Sequence, residues 1–301
     1  MIGRRRFIGI AAAAGLGFAA LGRRDELYTW SGVALGAEAR ITIAGLSRAE
    51  AQRVAHMARD EAHRLEAIFS LYRTDSELAR LNRNGRLPHP SHDFRLLLGR
   101  SLAAWEMSGG AFNPALQPLW RFLSRHFAEE GAGPPDRREM ARLLALADPA
   151  RIELGDGEAR LAPGMALSLN GIAQGYVTDR VAGLLAAEGL SDILIDMGEI
   201  RALRGRAWDI AIAGSPDRLA LSGGAVAQSA GSGTPFTADG AWHHLIDPDT
   251  GRSANRFAAV TVKAPLAADA DWLSTALYVL PPARHGAVLA HVAGATARVT
   301  P

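Results

Sequence analysis

The sequence predicts an α+β fold, with mixed, largely antiparallel sheets and packed helices, behind an N-terminal export signal. Two observations carry this expectation. Segments of alternating polarity are interleaved with segments of helical period, yet no regular βαβ repeat appears. A basic and then apolar N-terminus also stands apart from a body that has no other long apolar run. The 301 residues permit one large domain, or two small ones that share a core.

The elements follow in order. Gly3 to Phe7 read G-R-R-R-F, and an apolar run extends from Ile8 to Leu21. A basic start, a short apolar stretch and small residues read as an export signal. The arginines and Phe7 resemble the twin-arginine signal, which carries folded proteins; an ordinary anchor or a general secretory signal are the alternatives. Residues 1–22 are therefore set apart from the domain at 23–301, and the expected location is the periplasm. No clean A-x-A cleavage site stands out, so an uncleaved chain would stay tethered to the inner membrane.

Tyr28–Leu35 and Ala39–Ala44 alternate as two strands turned at Gly36. Ser47 and Glu50 form a capping box, after which Val54, Ala58, Leu65 and Phe69 recur at helical spacing. A second helix is expected from His92 to Met107, with Gly109 just beyond its end. The Gly/Pro-rich stretch 131–135 is a candidate boundary between two lobes. Short strands are expected near Arg151 and Ala166, a helix from Ile172 to Glu188, and a strand from Ile193 to Met197. The last third alternates strands (Trp208–Ala213, Trp242–Ile246, Ala259–Lys263) with helices near Trp272–Val279 and Pro282–Val292.

Composition removes several function classes. The formal net charge is only +2 and no dense basic run occurs, so nucleic acid is not an expected partner. The absence of cysteine excludes disulfides, thiol catalysis, thiolate metal sites and a lipoprotein anchor. Lys263 is the only lysine, so any grip on phosphate rests on arginine, backbone N–H groups or a metal.

Four constellations carry candidate chemistry. In Ser168-Leu169-Asn170-Gly171-Ile172-Ala173-Gln174-Gly175-Tyr176 a strand ends, Asn170 can cap and a helix begins. A helix N-terminus offers N–H groups and positive dipole to a phosphate, and Gly171 and Gly175 would admit a ligand close to the backbone. A plain strand-to-helix turn with glycine packing reads equally from the same residues. Asp271 and Thr275 lie four apart at a helix start, which puts two hard oxygens on one face, suited to magnesium. The alternative is that Asp269 or Asp271 merely caps the helix and Thr275 packs. In His243-His244-Leu245-Ile246-Asp247-Pro248-Asp249-Thr250-Gly251 a strand runs into a turn. Alternation would send the two rings to opposite faces, one toward a cleft as a general base and one toward solvent. Asp196-Met197-Gly198-Glu199 ends a buried strand, where ligands of open sheets often sit.

In order along the chain these blocks resemble the FAD:protein FMN transferase (ApbE-like) family from about Tyr28 to Leu280. The family's F-S-x-Y-x-x-x-S-E-[IL]-x-x-L-N appears as Phe69-Ser70-Leu71-Tyr72 through Ser76-Glu77-Leu78 to Leu81-Asn82. Its G-x-F-[DN]-P appears as Gly110-Ala111-Phe112-Asn113-Pro114, followed by Pro118-Leu119-Trp120. Its G-I-A-K-G-Y-x-x-D appears as Gly171-Ile172-Ala173-Gln174-Gly175-Tyr176 with Asp179, and A-x-T-S-G is altered to Ala227-Gln228-Ser229-Ala230-Gly231. The closing H-[IL]-I-D-P-x-T-G and A-D-x-x-[SA]-T-A match His244 to Gly251 and Ala270-Asp271 to Thr275-Ala276. Four positions depart: Gln174 for lysine, Ser168 for aspartate, Glu199 for a second glycine and Gln228 for threonine.

The resemblance implies magnesium-dependent transfer of FMN from FAD to a threonine or serine hydroxyl of an exported or membrane-bound acceptor, an electron-transfer subunit, with release of AMP. It implies magnesium on Asp271, Thr275 and the Ala173 carbonyl. It implies the flavin nucleotide near Tyr72, Phe112, Asn113, Ser168, Gly171, Ala173, Gln174, Gly175, Asp179, Gly198, Glu199 and Ser229. His244 is the expected base, oriented by Asp247. A magnesium-dependent FAD pyrophosphatase and a non-catalytic periplasmic FAD-binding protein are the alternatives.

Overall fold

The structure is a computed structural model that describes residues 27–34, 37–129 and 131–301. The proposed signal and the turn at Gly36 lie outside the described residues. The body is α+β, built on a seven-stranded sheet in the order β1 (Leu27–Ala34), β2 (Ala37–Ala44), β6 (Ile193–Asp196), β7 (Ile200–Ala202), β10 (Gly224–Ser229), β11 (Ala259–Ala264), β12 (Thr296–Thr300). Every neighbouring pair in it is antiparallel.

Period-two alternation gives the sheet two apolar faces. Ile41, Ile43, Ile193 and Ile195 face the main core, beneath α1 (Arg48–Phe69), α6 (Asn170–Ala187) and α7 (Ala267–Val279). Leu194, Ile200 and Val226 point the other way, against Trp208, Ile210 and Leu221 of the hairpin β8 (Trp208–Ala211) and β9 (Arg218–Leu221). The capping box at the start of α1 forms as the sequence predicts: Ser47 Oγ accepts from the Glu50 N–H, and the Ser47 N–H donates to the Glu50 carboxylate at 3.0 Å. Helix α2 (Glu77–Asn84) and a small sheet of β3 (Arg86–Pro88), β5 (Glu158–Leu161) and β4 (Ile152–Leu154) flank α3 (His92–Met107), whose bounds match the expectation. The 131–135 stretch joins α4 (Gln117–His126) to α5 (Arg137–Leu144); Leu119, Leu123 and Leu143 of these helices form a satellite core with Ile246. Helix α8 (Pro282–Leu289) precedes the final strand.

Two expected strands are absent. The segment near Ala166 is irregular and pairs with no strand. Both amide atoms of Asn82 satisfy Leu167, the N–H at 2.7 Å and the carbonyl at 2.8 Å, and the Pro114 carbonyl takes the Ser168 N–H. A side chain and a loop thus do what a neighbouring strand would otherwise do. Trp242–Ile246 makes only isolated bridges, Pro235 to His243 and Ile246 to Ser253. It belongs to a long irregular segment between β10 and β11 whose backbone is held by Ser253, Thr234 and Trp242.

Candidate functional site

One cleft of about 1270 Å³ opens between the sheet ends, α6, α7, α4 and the irregular segment. Tyr72, Phe112, Asn113, Ser168, Gly171, Gln174, Gly198, Glu199, Ser229, His244, Asp271 and Thr275 all line it. Residues spread over two hundred positions of chain therefore meet at one place.

The floor is made by the start of α6 against one face of α7. Leu169 is the N-cap of α6 and no side chain caps this end, so Asn170 is the first helical residue and not the cap. A Cβ on Gly171 would stand 3.2 Å from Phe112 Cε2 and 3.3 Å from Thr275 Oγ1, so glycine keeps the aromatic wall and the hydroxyl together. Gly175 has a different purpose. A Cβ there would come within 2.4 Å of the Ala267 carbonyl oxygen, so this glycine lets α6 touch α7 and does not face the cleft. Ala173 is likewise buried in the main core.

Asp271 is not a helix cap. It sits one turn inside α7, 4 % exposed, and accepts the Gly175 N–H at 3.1 Å. Burial pushes its carboxyl up to about 8, against the lowering effect of that N–H. Thr275 follows one turn later, and Ser229 Oγ lies 3.5 Å from its hydroxyl and 2.8 Å from Ser274 Oγ. Glu199 is 7 % exposed; burial raises its carboxyl well above the usual range, and the charges of Asp271 and Asp196 add to this. Gly198 adopts φ +98°, and a Cβ on it would overlap the Gln174 amide, so Gln174 lies flat on that turn. Among the described residues no group of three or more His, Cys, Asp or Glu side chains is placed to hold a metal ion by itself. What the floor offers a hard cation is carboxylates together with hydroxyls.

The helix that carries Asp271 is capped from a distance. Leu266, its N-cap, gives no side-chain bond, and Asp179 of α6 accepts the N–H of Ala267 at 2.8 Å and of Ala268 at 2.9 Å. Asp179 also pairs with Arg201 at 2.7 Å. It does not line the cleft; it positions α7.

The histidine pair departs from the expected geometry. Without a strand there is no alternation, and neither ring is turned out to solvent. His243 is 1 % exposed. Its Nδ1 accepts the Leu245 N–H at 3.2 Å, so Nε2 carries the proton and donates to the Ala254 carbonyl at 2.9 Å. Gly231 threads between this ring and Tyr278, whose hydroxyl accepts its N–H at 3.1 Å. His244 lines the cleft. Its Nδ1 is sealed from solvent with no partner. Burial, and then the neighbouring His243, depress its pKa to about 4, so the ring is neutral. Asp247 does not contact it: its Oδ1 accepts the Asp249 N–H at 2.9 Å and its carbonyl takes the Gly251 N–H, which closes the Asp-Pro-Asp-Thr-Gly turn.

Asn113 reaches the cleft wall, yet its amide is engaged by Ala147 and Ala115. Sequence reasoning did not assign a role to Asn82, which holds the segment feeding α6, although the residue stood within a recognised block. It also did not find Arg121 and Arg125, which line the cleft from α4.

A sequence model of the ApbE family matches residues 35–299. This chain belongs to the ApbE family. Similar curated proteins include the FAD:protein FMN transferase of Treponema pallidum, 32 % identical over 75 % of this chain and 72 % of that one. The FAD:protein FMN transferase of Haemophilus influenzae is 28 % identical over 90 % and 86 %. Among solved structures, the ApbE protein of Thermotoga maritima superposes with a TM-score of 0.79 at 23 % identity, covering 91 % of this chain and 97 % of that chain. The flavin transferase ApbE of Vibrio cholerae gives 0.77 at 24 %, covering 91 % and 93 %. Both have the same ApbE fold.

Proposed function

We propose that this ApbE-family chain is an FAD:protein FMN transferase that moves FMN from FAD to a threonine or serine hydroxyl of an acceptor protein and releases AMP. The observation that carries the reading is the convergence of six separated sequence blocks on one cleft large enough for a dinucleotide. The uncapped start of α6 suits a pyrophosphate. His244, neutral and lining the cleft, supplies a base for the acceptor hydroxyl, and a water-poor surround favours the proton-accepting form.

Magnesium belongs to this reading, and the donor chemistry fits it. Asp271 and Thr275 offer hard oxygens on a floor that has no cationic side chain among its described residues, where a buried carboxylate gains most from a metal. The metal would neutralise charge on the phosphates and on the departing AMP. Asp271 and Thr275 would hold it, and Gly175 and Asp179 keep Asp271 in place. Export through the twin-arginine route to the periplasm, and an exported or membrane-bound electron-transfer acceptor, complete the proposal.

Incubation with FAD, magnesium and an acceptor domain tests it. Covalent flavin on the acceptor supports the transferase. Free FMN plus AMP would replace it with a pyrophosphatase, and intact FAD with a binding protein.

A further inference from the structure

Glu199 was expected at the flavin, but its surroundings point elsewhere. Its carboxylate is more than nine-tenths buried, lines the cleft, and has no hydrogen-bond or ion-pair partner among the described residues. The second buried acid of the floor, Asp271, has one backbone N–H. The cationic side chains that line the cleft, Arg121 and Arg125, stand on exposed positions of α4. The single lysine, Lys263, is not among the lining residues. Two carboxylates thus share a low-dielectric floor with no side-chain counter-charge. Such groups either take up protons or hold a cation. The fold makes this arrangement deliberately: the left-handed Gly198 turns the chain directly before Glu199, and the Gln174 amide seals the turn. Ser229 and Thr275 add hydroxyl oxygens to the same floor. Oxygen-only donors with two charges suit a hard divalent ion.

We propose that Glu199 is a cation ligand and not a flavin contact, and that with Asp271 it loads a divalent cation into the protein before any nucleotide binds. This extends the magnesium part of the proposed function to a residue of this chain, and its test needs no nucleotide. The cation would displace those protons and give the floor the positive charge that a pyrophosphate needs. FAD would then bind the loaded protein and not the metal-free one.

The experiment is calorimetric titration of Mg2+ into nucleotide-free protein, repeated with Mn2+ followed by electron paramagnetic resonance. The wild type should bind, and Glu199→Gln should bind at least about tenfold more weakly, since charge count sets affinity at such sites. Glu188→Gln, exposed at the end of α6, should match the wild type. Absence of cation binding by the nucleotide-free wild type, or equal binding by Glu199→Gln, would overturn the proposal. Should Glu199→Gln fail to fold, Glu199→Asp keeps the charge and withdraws the carboxylate by one methylene; wild-type affinity in that variant would overturn it equally. Cation binding that depends on Glu199 in a protein that transfers no FMN would support this site and count against the transferase reading alone.

Discussion

The Gly175 N–H donates to the Asp271 carboxylate at 3.1 Å, across a contact that leaves no room for a Cβ between α6 and α7. The acid that anchors the proposed metal is thus aimed by the backbone of a neighbouring helix. Gly175→Ala should force the two helices apart and cost about 1–3 kcal/mol, as overpacking does. Denaturant melts check the stability, and an Mg2+ titration of the same variant should show weakened binding. Wild-type values in both would make Gly175 incidental.

Asp271→Ala should abolish transfer and remove the magnesium dependence of FAD binding, because no neutral ligand replaces the lost charge. FAD titrations with and without magnesium read this directly. Full activity at limiting magnesium would assign the metal elsewhere.

His244→Ala should slow transfer by about 10²–10⁴-fold and leave FAD affinity nearly unchanged. The pH profile follows from burial. A ring with its pKa near 4 is neutral, and able to accept a proton, at all higher pH. The ratio of wild-type to variant rates should therefore stay flat from pH 8 to about 5 and fall only as pH drops through about 4. In-gel flavin fluorescence of a labelled acceptor measures both rates. A loss centred near the ordinary 6.5 would mean that the ring is solvated during the reaction.

The sequence implied that His243 would tolerate substitution, and the structure reverses this. His243→Ala would strand the Ala254 carbonyl and the Leu245 N–H, at about 1–3 kcal/mol for each buried group left unpaired. Thermal melts should show a clear loss for His243→Ala and a small one for His244→Ala. The reverse order would contradict the assignment of the pair.

Arg4→Lys with Arg5→Lys should keep the protein in the cytoplasm, as the arginine pair ahead of an apolar run suggests. Cell fractionation decides it: normal export of the double variant removes the twin-arginine proposal.

Local rules made much of this fold readable. The Ser47 capping box and the α3 bounds depend on a few adjacent residues, and both appear where the pattern puts them. Most residues named for the site line one cleft because the ordered blocks were read together. Misreadings occur where a distant group replaces a local one. Asn82 supplies partners to Leu167 across 85 positions, so an irregular segment looks like a strand. Asp179 caps a helix 88 positions away, so it looks like a ligand. Alternating residues at 242–246 occupy a segment that is held by side chains and single bridges and never joins the sheet.

Ile246 lies two residues beyond His244 and packs with Leu119, Leu123 and Leu143, beside Trp120 and Phe236, which line the cleft. The imidazole and the aromatic wall are therefore mounted on one small block of hydrocarbon. A ligand with a broader ring system cannot press that wall outward without carrying the imidazole along. With His244 in its proposed role, tolerance of unnatural flavins would be tied to turnover: analogues that widen the cleft should be held but handed on slowly.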